Sequence, residues 1–240
     1  MKKNHTGIIL NNEKIAKGTY KLVIKSQTDK MHPGQFISIL CENKTLRRPF
    51  SVCDYEDDKI TVLYKIKGEG TNYIKSLSAG EKVDFLGPMG NTFDFDNINS
   101  ALLVGAGIGI APMLFLKKEL DKKGVKNFLV TGFREKEEIL NGSDKTVIGG
   151  SVVDYLDELK EKLNPDIIYS CGPNIVLKLV SEFGIKNNIK TQVSMEKTMA
   201  CSIGVCRGCV IEINKNGEKI NKTVCKDGPV FWGNEVIWQI

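Results

Sequence analysis

The sequence predicts a multidomain β and α/β protein: a small antiparallel barrel or sandwich, then a parallel-sheet unit with crossover helices, then a small C-terminal cysteine unit. Three observations carry this. Up to about Phe95, short alternating strands follow one another between turn residues. From Ala101, strand and helix patterns alternate. After Met195, four of the seven cysteines fall within 25 residues. A chain of 240 residues has room for two to three small domains, and the changes of texture place them at 1–97, 98–194 and 195–240.

The elements follow in order. Tyr20, Leu22 and Ile24 alternate with Lys21, Val23 and Lys25, and residues 35–40, 59–67 and 82–86 repeat the pattern, the last running into Gly87-Pro88. Short strands at this spacing build a small barrel or sandwich. A short helix is expected over 72–77, with Thr71 at its start. Residues 101–105 then read as a buried strand, 111–123 as a helix and 128–131 as a strand; 152–163, 167–169, 173–183 and 189–194 continue the alternation. Two strands, 210–214 and 219–224, join through Asn216-Gly217, a hairpin turn pair. An apolar tail with Trp232 and Trp238 ends the chain.

Composition excludes several classes. Hydrophobic residues at 41% and charged residues at 26% give an ordinary globular balance, against a disordered or coiled-coil chain. A net charge of +5, scattered along the chain, is no nucleic-acid footprint. His5 and His32 are the only histidines, too few for a multi-histidine zinc site and poorly placed for a Ser-His-Asp triad. Chemistry therefore rests on cysteine or a bound cofactor, and no catalytic acid or base is expected. Residues 97–116 carry no charge over about the length of a membrane span. Gly105, Gly107, Gly109 and Pro112 break that run, so it reads as strand, tight turn and helix start, with no membrane segment. The early apolar run, 8–10, is too short for a signal-peptide core, and an odd cysteine count argues against a secreted disulfide scaffold. The expected compartment is a reducing cytoplasm.

Cys201, Cys206, Cys209 and Cys225 give the spacing C-x4-C-x2-C-x15-C. The first three match the plant-type [2Fe-2S] run, in which a loop wraps the cluster and a distant fourth cysteine closes it. Structural zinc is the plainer alternative, but zinc ribbons prefer paired C-x2-C hooks. Cys41 and Cys53 read as buried small hydrophobes. Two glycine-rich segments offer nucleotide sites. Gly105, Gly107 and Gly109 follow a strand and precede a helix, but Ile110 breaks the G-x-G-x-x-G fingerprint. A phosphate site at a helix start and a tight structural turn both fit them. Gly68, Gly70 and Thr71 allow the same two readings. Upstream, Arg48 is suited to phosphate and Ser51 brings a hydroxyl beside a strand.

In order, Arg48-Pro49-Phe50-Ser51, Gly70-Thr71, the 105–112 segment and Cys171-Gly172-Pro173 resemble the successive motifs of the ferredoxin reductase family. There a β-barrel binds flavin and an α/β domain binds a pyridine nucleotide. The cysteine cluster after Met195-Glu196-Lys197 is similar to that of the electron-transfer subunits of NAD-dependent (class 1B) dihydroorotate dehydrogenases. The resemblance spans nearly all of the chain. It implies that Arg48 meets the flavin phosphates, and that Pro49, Phe50 and Ser51 line the isoalloxazine with Ser51 near N5. Leu63, Tyr64 and Lys65 would edge the flavin and adenosine side, and Gly70 and Thr71 would hold a pyrophosphate, which favours FAD. Gly105, Gly107 and Gly109 would take the nucleotide phosphates, and Cys171, Gly172 and Pro173 would approach the nicotinamide. Cys201, Cys206, Cys209 and Cys225 would ligate the cluster.

Two departures stand out: Phe50 replaces the family's usual tyrosine, and Ser202 stands where glycine is expected after the first cluster cysteine. Arg134 is placed where an NADP-specific relative would hold a 2′-phosphate, although NAD is preferred here. The resemblance implies a hydride from NADH to FAD and single electrons through the cluster to a separate, FMN-containing dihydroorotate dehydrogenase catalytic subunit, in a heterotetramer of two each, serving pyrimidine (UMP) biosynthesis. The alternative is a diaphorase-like subunit of a ferredoxin-dependent NAD(P)H transhydrogenase or a sulfide dehydrogenase.

Overall fold

The structure, a computed structural model, describes residues 4–42 and 44–239. The first six strands are β1 (Asn4–Ala16), β2 (Thr19–Lys25), β3 (Phe36–Ile39), β4 (Arg48–Glu56), β5 (Lys59–Lys65) and β6 (Lys82–Met89). They close an antiparallel barrel in the order β1-β2-β5-β4-β3-β6. β1 closes it by pairing with β6 through Asn4–Ile8 and with β2 from Ile8 onward, bending at two irregularities of register. The sequence patterns find four of these strands and miss β1 and β4. Asn11, Asn12, Glu13 and Lys14 interrupt the apolar alternation of β1, and β4 opens with Arg48-Pro49. Ile24, Ile37, Ile39, Val52, Ile60, Val62 and Phe85 fill the barrel. Helix α1 (Glu69–Ser76) lies between β5 and β6.

The second sheet is built from β7 (Ser100–Ala106), β8 (Lys126–Phe133), β9 (Lys145–Ile148), β10 (Ile167–Cys171) and β11 (Lys190–Ser194), with helices α2 (Ile110–Lys122), α3 (Leu156–Leu163) and α4 (Asn174–Lys186). These five strands are parallel. The hairpin β12 (Val210–Lys215) and β13 (Glu218–Thr223) forms a separate two-stranded sheet. The last strand, β14 (Val230–Trp232), pairs antiparallel with β11, giving the order β14-β11-β10-β7-β8-β9. Residues beyond 194 thus supply an edge strand to the parallel sheet. Residues 97–116 form a loop, β7, a tight turn and the start of α2, and among the described residues no helix is long and apolar enough to cross a membrane.

Candidate flavin, nucleotide and iron–sulfur sites

From β7 the chain steps outward to β8 and β9, and then returns to the other side of β7 with β10. The topological switch point therefore lies between β7 and β10, where open α/β sheets leave a ligand crevice at the strands' carboxyl ends. Gly105, Cys171 and Ser194 sit in register across those ends. Glycine is needed here for packing: a Cβ on Gly109 would lie 2.2 Å from the Cys171 carbonyl oxygen, and one on Gly105 would lie 3.1 Å from the Ile110 Cα. Gly107 differs, with a φ of +56° and open space where a Cβ would point. α2 begins directly after this turn, so its first amides face the crevice edge.

A cleft of about 400 Å³ opens between this edge and the barrel. Arg48, Pro49, Phe50 and Ser51 of β4, Leu63, Tyr64 and Lys65 of β5, Gly70 and Thr71 of α1, and Cys171 all line it. Ten of the sequence-predicted residues from four separate segments thus share one cavity. Gly105, Gly107, Gly109, Gly172 and Pro173 are not among its lining residues; the 105–112 segment reaches the cleft through Ile108, Ala111 and Pro112, and the 171–173 segment through Cys171. Sequence reasoning did not assign Phe36, Lys67 or Glu196 to the site, although all three line the cleft. For Glu196 the signals were its place in the Met195-Glu196-Lys197 run before the cysteine cluster and its position just after the last parallel strand. Crowding by protein raises the Glu196 carboxyl above its ordinary range, and Lys67 pulls the other way.

The barrel side suits a flavin nucleotide. Arg48, Lys65 and Lys67 bring cations to the cleft, and the first turn of α1 opens onto it. Arg48 donates from Nη1 to the Leu46 carbonyl at 2.6 Å and lies across Gly70. Lys65 is already paired with Glu138 from the segment after β8, which ties the barrel to the second sheet. Phe50 and Tyr64 meet edge-to-face at 5.8 Å, and the Tyr64 hydroxyl donates to Asn12 Oδ1 at 2.8 Å. At Phe50 the cleft presents an apolar ring with no hydroxyl.

The four C-terminal cysteines fall into two pairs, Cys201 with Cys206 and Cys209 with Cys225, each in side-chain hydrogen-bond contact. Backbone amides aim at the sulfurs: Cys206 N–H to Cys201 Sγ at 3.3 Å, Gly208 N–H to Cys206 Sγ at 3.4 Å and Cys225 N–H to Cys209 Sγ at 3.4 Å. Burial opposes ionisation of Cys201, but the donated N–H bonds outweigh it and hold the thiol down at about 6. Burial pushes Cys225 up to about 12. Two thiol pairs wrapped by amides fit a two-iron cluster, whose cysteine ligands are shared between two irons. Among the described residues no three candidate ligands converge on a single ion. Cys53 is buried in the core, and burial pushes its thiol up to about 12, as for an inert core residue. Cys41 is buried in the barrel and shifted upward for the same reason.

A closed antiparallel barrel, a switch-point sheet sharing its cleft, and an amide-wrapped four-cysteine loop define a flavin-dependent pyridine-nucleotide oxidoreductase with an attached iron–sulfur segment. Comparison with known proteins makes this specific. Residues 8–93 match the oxidoreductase FAD-binding domain family, and residues 196–237 match the iron-sulfur cluster binding domain of dihydroorotate dehydrogenase B. The dihydroorotate dehydrogenase B (NAD(+)) electron transfer subunit of Caldanaerobacter subterraneus subsp. tengcongensis is 37% identical over 241 residues, covering 96% of this chain and 97% of its own. That of Listeria innocua is 37% identical over 250 residues, covering 95% and 96%. Among solved structures, an NADH-dependent reduced ferredoxin-NADP oxidoreductase studied for flavin-based electron bifurcation superposes with a TM-score of 0.84. It is 28% identical and covers 97% of this chain and 90% of that one. The chain belongs to the family of electron-transfer subunits of dihydroorotate dehydrogenase B.

Proposed function

We propose that this chain takes a hydride from NADH at the cleft and sends single electrons out through the cysteine loop to an FMN-containing dihydroorotate dehydrogenase catalytic subunit, assembled two of each. FAD supplies the two-electron to one-electron conversion when bound, and the cluster carries one electron at a time. The chain's own residues bind and orient. Arg48, with Gly70 and Thr71 at the start of α1, holds the FAD phosphates; Pro49, Phe50, Ser51, Leu63, Tyr64 and Lys65 form the wall against the flavin ring. Gly105, Gly107 and Gly109 shape the turn that admits the nucleotide phosphates, and Cys171, Gly172 and Pro173 face the nicotinamide. Cys201, Cys206, Cys209 and Cys225 ligate the cluster. Residues 1–97, 98–194 and 195–240 act as flavin, nucleotide and cluster units. NAD is the preferred nucleotide, and the compartment is the cytoplasm, in keeping with seven cysteines of which none is in a disulfide among the described residues.

The observation that carries this reading is that one cleft gathers the β4, β5 and α1 residues opposite Cys171 at the switch point. Its test is reconstitution. The isolated chain oxidises NADH with an artificial one-electron acceptor and shows no dihydroorotate:NAD turnover. Adding the FMN-containing catalytic subunit restores that turnover, and restoration requires all four cysteines. Full dihydroorotate:NAD turnover by the chain alone refutes the division of labour.

A further inference from the structure

β3 is a four-residue strand buried along its whole length. Alternation sends Ile37 and Ile39 into the barrel and leaves Phe36 and Ser38 on the outer face. That outer face is covered by the cysteine segment: Phe36 and Met89 share one apolar cluster with Met195, Cys209, Val224 and Cys225. Within this contact the Ser38 and Ser202 hydroxyls lie 3.1 Å apart, and both residues are fully buried. Ser202 follows Cys201 and has a φ of +59°, a left-handed conformation that glycine takes freely and serine does not. A side chain at this position therefore carries a backbone penalty, and the hydrogen bond is what the side chain gains there. On its other side, Ser38 stands directly opposite Pro49 in the β3–β4 ladder, and Pro49 lines the cleft.

We infer that the Ser38–Ser202 hydrogen bond positions the cysteine loop on the barrel for electron transfer, linking the flavin wall at Pro49 to the cluster ligand Cys201. The inference rests on the proposed flavin and cluster sites. In the step it would serve, the bound flavin would give up one electron and the cluster would accept it, one ferric ion becoming ferrous. The electron would move alone, and any proton lost by the flavin on that oxidation would pass to solvent. Ser38 and Ser202 are positioning residues: they exchange no proton with the reacting groups.

The test uses the flavin- and cluster-loaded chain with Ser38→Ala, Ser202→Gly, the double variant and Ser38→Thr, which keeps a hydroxyl. A flash-generated one-electron reductant loads the flavin, and bleaching of the cluster is followed anaerobically. Hydrogen exchange of the amides of residues 201–209 is measured in parallel. Each single variant is expected to keep its iron and flavin content and its rate of flavin reduction by NADH. Each is expected to slow arrival of the electron at the cluster and to speed loop exchange by about tenfold, the change one buried hydrogen bond makes to an equilibrium. The double variant is no worse than either single, and Ser38→Thr retains the original rates. Unchanged exchange in both singles overturns the inference, because packing at Phe36 and Met89 then holds the loop unaided. Faster exchange with an unchanged electron-arrival rate also overturns it, because the bond then has no bearing on transfer. Unweakened FAD binding in Arg48→Ala is a separate outcome, which refutes the Arg48 phosphate contact and leaves the exchange measurement interpretable.

Discussion

Arg48 lies across Gly70 so closely that a Cβ on Gly70 would come within 2.5 Å of the guanidinium Nε. A strand residue and the first turn of α1 are thereby packed as one surface at the cleft. Truncating Arg48 to alanine removes the charge-assisted donors at that surface. Such a contact to phosphate is worth roughly 1.5 to 3 kcal/mol, so FAD binding is expected to weaken about tenfold to a hundredfold. Fluorescence titration of the apoprotein with FAD measures this.

Arg47, its neighbour in sequence, has a different task. It pairs with Asp84 at 2.6 Å and donates to Asn4 Oδ1 and the Ser38 carbonyl at 3.1 and 3.4 Å, linking β1, β3 and β6. Arg47→Ala should leave FAD affinity within about twofold and lower stability by roughly 1 kcal/mol. Urea unfolding with and without FAD separates the two effects.

Gly109→Ala places a methyl 2.2 Å from the Cys171 carbonyl oxygen, where both partners are backbone and neither can rotate away. The turn must shift from the end of β10, at a cost of roughly 1–3 kcal/mol. The expected result is a lower melting temperature together with a raised KM for NADH. An unaltered KM would show that the turn does not position the nucleotide.

Anaerobic iron and sulfide analysis should find about two of each per chain, and Cys206→Ala should lose both while keeping FAD. Cys206 is exposed on the loop, whereas the barrel residues of the flavin cleft belong to other strands. Stoichiometric zinc without iron would contradict the cluster assignment.

Asp166 accepts backbone N–H bonds from Asn99 and Ser100 at 2.7 and 2.9 Å, and these bonds hold its carboxyl below the ordinary aspartate range. A depressed folded pKa contributes stability above the unfolded value of about 3.9, and that contribution is lost as pH falls through the lowered folded value. Asp166→Asn should therefore destabilise the chain at about pH 6 and shrink its difference from the parent below about pH 4. Melting curves across that range test the sign.

The cysteine spacing, the helix-start glycines and the period-two runs of β2, β3, β5 and β6 are local patterns, and local patterns select element type and ligand chemistry. They therefore read directly from the sequence, as did the motif order that resembles the ferredoxin reductases. β1 and β4 escaped because polar residues and a proline break their alternation, and their pairing across the barrel supplies what local propensity does not. β14 escaped because three residues show no periodicity; its identity as a strand comes from β11 lying beside it. Only the tertiary fold brings Cys171 opposite the β4 and β5 residues, ties Arg47 to Asp84, and gives Ser202 a partner 164 positions away. Contacts of that kind depend on which strand edges and loop faces meet, a property of the whole packed chain and not of any window along it.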